Sequence, residues 1–321
     1  MDLSFTTLDV FTSTRLEGNP LAVVQIPTSS RDRVTQALKQ KIAKEFNLSE
    51  TVFLHETSAT GGPEARDVDI FTIDQELPFA GHPTIGTAVF ARQHLGGGGQ
   101  DVRALVTKAG RIAIEPSPLG IRASIPHNVH LHARTLQDLL ALGSPEIEAL
   151  VKAGLHPNPT IRAAELEAPV FNIVKGMTFV LVRLPSLDLL GQVRSLPLDF
   201  GALAADLLDE GWRDSFVGRY YYVDVDAEEE EGVRSLRTRM VEPASEDPAT
   251  GSAATALGAY LTLAREKKGT KFRVTQGVEM GRKSVISVET TVEGGGEVKI
   301  GEVFLGGTAV VVMQGTLKVG A

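Results

Sequence analysis

Two segments of the sequence each place an ionisable side chain directly before a proline. They read Pro78-Phe-Ala-Gly-His-Pro-Thr-Ile-Gly-Thr-Ala88 and Pro243-Ala-Ser-Glu-Asp-Pro-Ala-Thr-Gly-Ser-Ala253, and at a constant offset of 165 residues they share the pattern P-x-x-x-x-P-x-x-G-[TS]-A. The ionisable residues are His82 and Asp247. Since the chain has no cysteine, thiol nucleophiles and thiol bases are excluded. Histidine and aspartate are therefore among the few residue types left for catalysis.

An alanine-rich segment follows each of these prolines and predicts a helix. Proline is favoured at the first helical position, and aspartate is a good N-cap. We therefore expect one helix to begin at Pro83, and a second to begin at Pro248 with Asp247 as its cap. They should end near Leu95 and Lys268, each of which precedes a glycine. Both segments have little polar face, so each helix should be buried within its own half of the chain.

The start of a buried helix suits an anion. Its first backbone N–H groups have no partner in the helix, and it carries a partial positive charge of about half a unit. Gly81, Gly86 and Gly251 would let a ligand approach the backbone closely. If the halves are related by a pseudo-twofold axis, both helix starts would face one cleft and hold a small carboxylic acid from two sides. The alternative is that both are ordinary helix starts, capped by aspartate or by a partly buried histidine.

The repeat also predicts the domain organisation. Strand-like and helix-like segments occur in both halves, which indicates an α+β fold. We predict two homologous domains joined near Ile125-Pro126, residues 1–125 and 126–306, with about 307–321 completing the first. The clearest predicted strands are 21–25, 51–54, 111–115, 179–183, 220–225, 284–289 and 309–313, and further predicted helices are 33–46 and 199–209.

Composition and pattern exclude several classes of protein. The 321 residues include 32 Lys plus Arg against 40 Asp plus Glu, a net charge of -8, so no broad basic surface exists for nucleic acid. No apolar run approaches the ~20 residues that span a bilayer, and no signal-peptide pattern opens the chain. No glycine fingerprint follows a predicted strand, so nothing supports a nucleotide cofactor. We expect a cytoplasmic protein without membrane or nucleic-acid partners.

One histidine tract is a possible metal site. It reads His127-Asn-Val-His130-Leu-His132. In an extended chain His130 and His132 share a face while His127 points away, and no cysteine or paired carboxylate lies nearby in sequence. A short tract without supporting residues is weak evidence for a site. We therefore predict no metal.

Several segments together carry a family resemblance, which spans nearly the whole chain. Besides the two repeated turns they are Gly18-Asn-Pro-Leu-Ala-Val-Val24, Leu48-Ser-Glu-Thr-Val-Phe53, Gly281-Arg282 and Gly307-Thr-Ala-Val-Val-Val-Met-Gln-Gly315. In this combination the sequence resembles the phenazine-biosynthesis isomerase (PhzF-like) family. That family is similar in fold to diaminopimelate epimerase. The resemblance therefore implies two pseudo-symmetric domains, each a barrel-like sheet wrapped around a central helix, and it suggests a homodimer.

The resemblance implies a cofactor-independent isomerase acting on a small carboxylic acid. Glu50 would take a proton from one carbon and return it to another, with His82 and Asp247 assisting. A glutamate of ordinary pKa is a weak base toward carbon, so Glu50 needs a partly desolvated setting, which its apolar sequence neighbours could supply. Without the motif, Glu50 is simply a solvated residue after the helix 33–46. The positions implied to bind substrate are Asn19, Ser49, Gly81, Gly251 and Ser252.

Three other functions remain open from the sequence. A two-base epimerase would use Glu50 and Asp247 on opposite faces of one stereocentre. A catalytically silent protein that binds small acids would keep the same motif residues. Acyl or ester hydrolysis would need Ser252 as nucleophile with His82 as base, although no G-x-S-x-G motif surrounds that serine.

Overall fold

The computed structural model describes residues 1–95, 101–225, 232–241, 245–294 and 298–319. Pro243 of the predicted repeat lies outside them. The chain folds into two compact units. Unit 1 comprises Met1–Pro126, Arg282–Ser287 and Phe304–Ala321, and unit 2 comprises His127–Gly281 and Val288–Val303. Within the described ranges, every helix is too short or too polar to cross a membrane.

Unit 1 is a curved sheet with one helix inside and one outside. Its elements are β1 (Asp2–Val10), β2 (Asn19–Ile26), a 3₁₀ turn (Thr28–Arg33), α1 (Gln36–Phe46), β3 (Thr51–His55), β4 (Ala65–Phe71), β5 (Glu76–Leu77), α2 (Gly81–Gln93), β6 (Ala104–Thr107), β7 (Gly110–Ser117), β8 (Gly120–Ser124) and β18 (Ala309–Lys318). The sheet follows the order β18-β1-β2-β3-β4-β6-β7-β8, in which β2–β3 and β4–β6 are the parallel pairs.

Unit 2 has the same kind of sheet with additional helices. Its elements are β9 (His130–Leu131), α3 (Leu136–Ala141), α4 (Pro145–Gly154), α5 (Pro159–Glu167), β10 (Val170–Val174), β11 (Met177–Arg183), α6 (Leu187–Gln192), α7 (Phe200–Leu207), β12 (Phe216–Val225), β13 (Val233–Val241), β14 (Glu246–Asp247), α8 (Gly251–Leu261), a π-helical turn (Thr262–Glu266) and β15 (Thr270–Gln276). Two further strands, β16 (Ser284–Glu293) and β17 (Lys299–Gly307), contribute residues to both units.

The two units share one order of strand pairing, which confirms the predicted pseudo-symmetric α+β fold. In unit 1, β1–β2 is antiparallel, β2–β3 parallel, β3–β4 and β4–β5 antiparallel, and β4–β6 parallel. In unit 2 the strands β10 to β15 repeat the same five pairings in the same directions. Parallel neighbours require crossover connections. Five strand pairings with the same order and the same directions in both units therefore indicate that one structural plan is duplicated.

Each sheet wraps around a helix, as the resemblance implied. The residues of α2 from Gly81 to Ala91 are all buried, and the helix packs on β1, β2, β3, β8 and β18. Nearly all of α8 is buried against β10, β11 and β15. Small residues at most positions of α8 let the surrounding strands approach its backbone. The predicted burial of both helices is confirmed.

The predicted helix starts were wrong. Helix α2 begins at Gly81, with Pro83 as its third residue, a position whose missing N–H also costs nothing. Helix α8 begins at Gly251, and its N-cap is Thr250. Asp247 therefore does not cap α8. It is the last residue of β14, and the chain needs the three residues after it to turn from that strand into the helix.

The offset of the repeat was also wrong. The strand β5 and helix α2 are separated by three residues, as are β14 and α8. These elements align the patterns Glu76-x-Pro-x-x-Gly81 and Glu246-x-Pro-x-x-Gly251 at an offset of 170 residues, from Gly81 to Gly251. The offset of 165 matched Pro83 with Pro248, but Pro83 lies inside α2 and Pro248 lies before α8.

The predicted strands and the remaining helices are confirmed, with shifted helix ends. Each predicted strand lies within an observed strand. The predicted helix 33–46 begins at Gln36, because Thr35 is the N-cap and its side chain accepts from the Leu38 N–H. It ends where Asn47 adopts a left-handed conformation, at a φ of 52°. Its apolar face covers β3 and β4 with a cluster that includes Ile42, Phe53 and Phe71.

Candidate active site

Glu50 lies at the entry to β3, and not on helix α1. Helix α1 has already ended at Phe46, and β3 begins at Thr51. The Glu50 side chain is 18% exposed. The alternative of a solvated residue on a helix end is therefore wrong. The parallel pairing of β2 with β3 fixes this position, since it places Thr51 beside Ala22.

His82 is the ionisable neighbour of Glu50. It is the second residue of α2 and is 5% exposed. Its Nδ1 lies 3.6 Å from Glu50 Oε2, which is just beyond hydrogen-bonding distance. Two residues predicted from separate motifs are thus brought together in unit 1. The imidazole and the carboxyl can exchange a proton after a small movement of either side chain.

Burial raises the pKa of the Glu50 carboxyl, and a hydrogen bond from the Ser49 side chain offsets only part of that effect. The cause is that the charged form loses hydration when it leaves water. A carboxylate with a raised pKa is a stronger base, and a larger fraction of it holds a proton near neutral pH. This is the environment that proton removal from carbon requires.

The start of helix α2 offers backbone donors beside this pair. Ala80 is the N-cap, and its side chain cannot accept a hydrogen bond. The first turn therefore begins with N–H groups, such as that of Gly81, that have no partner within the helix. Asn19, the first residue of β2, is buried. These features favour a bound anion near Glu50.

Gly86 does not have the role predicted for it. A Cβ at this position would lie 2.6 Å from Leu21 Cδ2 and 2.6 Å from Val10 Cγ2. The glycine therefore allows α2 to pack closely on β1 and β2. It lies more than a turn inside the helix, away from the N-terminal N–H groups.

In unit 2, Asp247 is held by the turn that follows it. Thr250 Oγ1 donates to Asp247 Oδ2 over 2.6 Å, and the Ala249 N–H donates weakly to Oδ1 over 3.4 Å. The turn ends at Gly251 and Ser252, the first two residues of α8. Thr250 makes no side-chain cap to this helix within the described part of the chain, which leaves the first N–H groups of α8 available for a ligand.

The strand registers show which residues are equivalent in the two units. Val52 pairs with Ile70, which pairs with Leu77; Tyr220 pairs with Met240, which pairs with Asp247. Leu77 is therefore the counterpart of Asp247. Counting along the same elements makes Gly218 the counterpart of Glu50, and Ser252 the counterpart of His82. The two copies of one plan thus carry different chemical groups.

Sequence reasoning missed a residue that supports Asp247. Gln276, the last residue of β15, is fully buried and contacts both Asp247 and Thr250. Tyr220, which lies in a predicted strand, is hydrogen-bonded to Gln276.

The histidine tract forms a hydrogen-bonded cluster in unit 2. His130, His132 and Asp209 bring possible ligand atoms within 4.8 Å of one another. However, the Asp209 N–H donates to His132 Nδ1, and His132 Nε2 lies 2.5 Å from Asn172 Oδ1. Burial lowers the pKa of His132, which favours its neutral form. A metal ion would have to displace these bonds, so the cluster fits a structural role that joins β9 to β10.

The chain is similar in sequence and in fold to several known proteins. Residues 8–315 match the family described as phenazine biosynthesis-like protein (PhzC-PhzF). An uncharacterized isomerase from Mesorhizobium japonicum is 34% identical over 96% of this chain and 96% of its own. The trans-2,3-dihydro-3-hydroxyanthranilate isomerase of Pseudomonas fluorescens is 31% identical over 98% of this chain and 99% of its own. A crystal structure of a Bacillus anthracis PhzF-family phenazine biosynthesis protein matches with a TM-score of 0.71 at 21% identity, covering 99% of this chain and 100% of that one.

Proposed function

The chain belongs to the family of phenazine biosynthesis-like proteins and is an enzyme of the isomerase class, which includes epimerases, and we propose that it moves a proton between two carbons of a small carboxylic acid without a cofactor. The observation that carries the proposal is Glu50, a largely buried carboxyl of raised pKa beside His82. The relative from Pseudomonas fluorescens is named for a substrate with a carboxylate and a ring that can be isomerised. We infer a substrate of this class.

In the proposed reaction Glu50 is first the base and then the acid. Its carboxylate removes a proton from a carbon next to a conjugated double bond, and the electron pair moves along the conjugated system. The protonated Glu50 then gives the proton to the far carbon, so the product is an isomer and no oxidant is needed. Donors preorganised at the start of α2 would hold the substrate carboxylate without rearranging during the reaction.

His82 and the turn of unit 2 assist in the proposal. His82, 3.6 Å from Glu50, would stabilise the Glu50 carboxylate before the proton transfer. It would then stabilise the charge that develops during the transfer. Asp247 would orient the substrate or relay a second proton. Gly251 and Ser252 would supply further backbone donors from the start of α8.

Deuterium incorporation tests the proposal. The wild-type protein is incubated in D₂O with trans-2,3-dihydro-3-hydroxyanthranilate and a panel of unsaturated cyclic acids, and products are followed by NMR. We expect the isomer to form, with deuterium at the receiving carbon in those turnovers in which the Glu50 carboxyl exchanges its proton with solvent before returning it. Glu50→Gln should lose at least about 10³-fold in the rate of isomer formation, as expected for loss of a positioned base. The matched control is Glu45→Gln, the same change at an exposed residue five positions earlier.

The same assay separates the alternatives. An epimerase would return a product of unchanged constitution with one inverted stereocentre, which chiral chromatography detects. A silent binding protein would bind an acid in calorimetry but exchange no proton. Equal rates for wild type and Glu50→Gln would contradict the assignment of the base.

A further inference from the structure

A chain of buried hydrogen bonds leads from the interior of unit 2 to Asp247. Gln276 Nε2 donates to the Asp247 backbone oxygen over 2.7 Å and to Thr250 Oγ1 over 3.0 Å. Its Oε1 accepts from the Thr250 N–H over 3.2 Å and from the Tyr220 hydroxyl over 2.9 Å. Tyr220 also lies 2.9 Å from Thr238 Oγ1. Thr250 in turn donates to the Asp247 carboxylate.

Each bond in this chain has a definite direction. A backbone oxygen can only accept and a backbone N–H can only donate, so the contacts with Asp247 and Thr250 fix the orientation of the Gln276 amide. Its Oε1 must then accept from Tyr220. Burial raises the pKa of Tyr220 well above the ordinary value for tyrosine, so its hydroxyl stays protonated and able to donate.

The internal duplication shows that the fold itself does not need hydroxyl groups at the positions of Tyr220 and Thr238. The strand registers make Val52 the counterpart of Tyr220 and Val68 the counterpart of Thr238. Both valines are buried, and they occur in the unit whose counterpart of Asp247 is Leu77. A buried polar group is costly unless it is fully hydrogen-bonded. The hydroxyl groups of Tyr220 and Thr238 therefore occur in the unit that has the carboxylate, and valines take their places in the unit that lacks it.

We propose that Gln276, held by Tyr220 and Thr238, is a positioning residue that fixes the turn 247–250 and so aims the Asp247 carboxylate. The inference rests on the proposed function, because it assigns Asp247 a part in that reaction. Gln276 acts through the backbone of Asp247 and through Thr250, and touches no reacting atom. Small displacements of a reacting group cost large factors in rate, which explains why a rigid interior network would be retained.

The test compares two neighbouring tyrosines. Tyr220→Phe removes the hydroxyl that holds Gln276. Tyr221→Phe is the matched control, since Tyr221 is equally buried and its hydroxyl donates to Glu165 over 2.6 Å, away from this turn. We expect Tyr220→Phe to lower kcat about fivefold, the rate equivalent of one ordinary hydrogen bond, with KM within about twofold. Tyr221→Phe should leave both constants unchanged.

Thr250 provides a second pair of variants that avoids the barrel interior. Thr250→Ser keeps the hydroxyl that donates to Asp247, and Thr250→Val removes it while conserving shape. We expect Thr250→Val to lose about tenfold or more in kcat, and Thr250→Ser to retain most of it. A smaller loss in Thr250→Val than in Thr250→Ser would overturn the role of the hydroxyl.

A second readout does not depend on turnover. The carboxyl ¹³C shift of Asp247, assigned with Asp247→Asn, reports its hydrogen bonding. It should move in Tyr220→Phe and Gln276→Leu and stay in place in Tyr221→Phe. If the wild type transfers no proton, the proposed function fails while this shift still decides the positioning. Equal effects of Tyr220→Phe and Tyr221→Phe on both kcat and the Asp247 shift would overturn the inference.

Discussion

Replacing Glu50 by glutamine should stabilise the protein at neutral pH while it removes activity. Burial raises the pKa of this carboxyl in the folded state. Folding therefore opposes its ionisation, and stability falls as pH rises from the unfolded pKa of a glutamate through the folded one. Glutamine keeps the shape and the contact with Ser49 but never ionises. The desolvation cost disappears with the charge.

The structure sets the size of the effect. The Glu50 side chain is 18% exposed, and one hydroxyl, that of Ser49, offsets its burial by hydrogen bonding. Removing a charge whose lost hydration is replaced only in part by one hydrogen bond should increase the free energy of unfolding by about 1 to 2 kcal/mol above the folded pKa. For a domain of this size that is about 2 to 6 °C in Tm. Below about pH 4 both states hold the proton, and the difference should vanish.

The assay is thermal unfolding of the wild type, Glu50→Gln and Glu45→Gln at several values between about pH 4 and pH 8. The Tm difference between Glu50→Gln and wild type should be near zero at the acid end and grow with pH to a plateau. Glu45→Gln should show no such trend, because its side chain is exposed. A Glu50→Gln variant that is less stable at every pH would refute the reasoning. It would mean that the carboxylate is stabilised in the fold.

Three further substitutions test buried contacts in the two units. Burial would raise the pKa of Asp69, but hydrogen bonds from His55 and Lys39 hold it below its ordinary value. Asp69→Asn should therefore lower the free energy of unfolding by about 3 kcal/mol at neutral pH. This cost should become progressively smaller as pH falls through that lowered pKa. Glu165→Gln should cost about 3 kcal/mol in urea unfolding, because it leaves the buried Arg219 guanidinium without its countercharge. Gly86→Val should cost about 2 kcal/mol by overpacking.

An exposed pair provides the control for the two buried charges. Glu148 and Lys152 lie one turn apart on α4 and are both largely exposed, so Glu148→Gln should change stability by no more than about 0.5 kcal/mol. An Asp69→Asn penalty that stays constant down to acid pH would show that the charge of the carboxylate is not involved. A Glu165→Gln variant as stable as wild type would contradict the buried ion pair, and an unchanged Gly86→Val variant would contradict the close helix packing.

Local patterns in the sequence were sufficient for seven of the strands and for the identity of the two central helices. Strands with β-branched and aromatic residues, and helices with almost no polar face, can be recognised within a window of about ten residues. The ends of the helices could not be recognised in this way. Pro83 and Pro248 predicted equivalent starts, but one lies inside its helix and the other before it. The short strands β5 and β14 decide where each helix begins, and a strand of two residues is too short to show a recognisable pattern.

The candidate site, too, could be predicted from the sequence only in part. The motifs around Glu50 and His82 could be read from the sequence, but the 3.6 Å between them depends on β3 and α2 meeting within unit 1. The raised pKa of Glu50 depends on burial, which no spacing reveals. Gln276 was missed because an isolated glutamine carries no signal until the strand register sets it beside Asp247.

The order of residues along the chain thus determined which groups are available for chemistry, and excluded those based on cysteine. Tertiary structure decided which of these groups meet, because contacts between residues far apart in the chain depend on strand pairing and register. It also decided their protonation, because the free energy of a buried charge depends on the surrounding polar groups and not on its sequence neighbours.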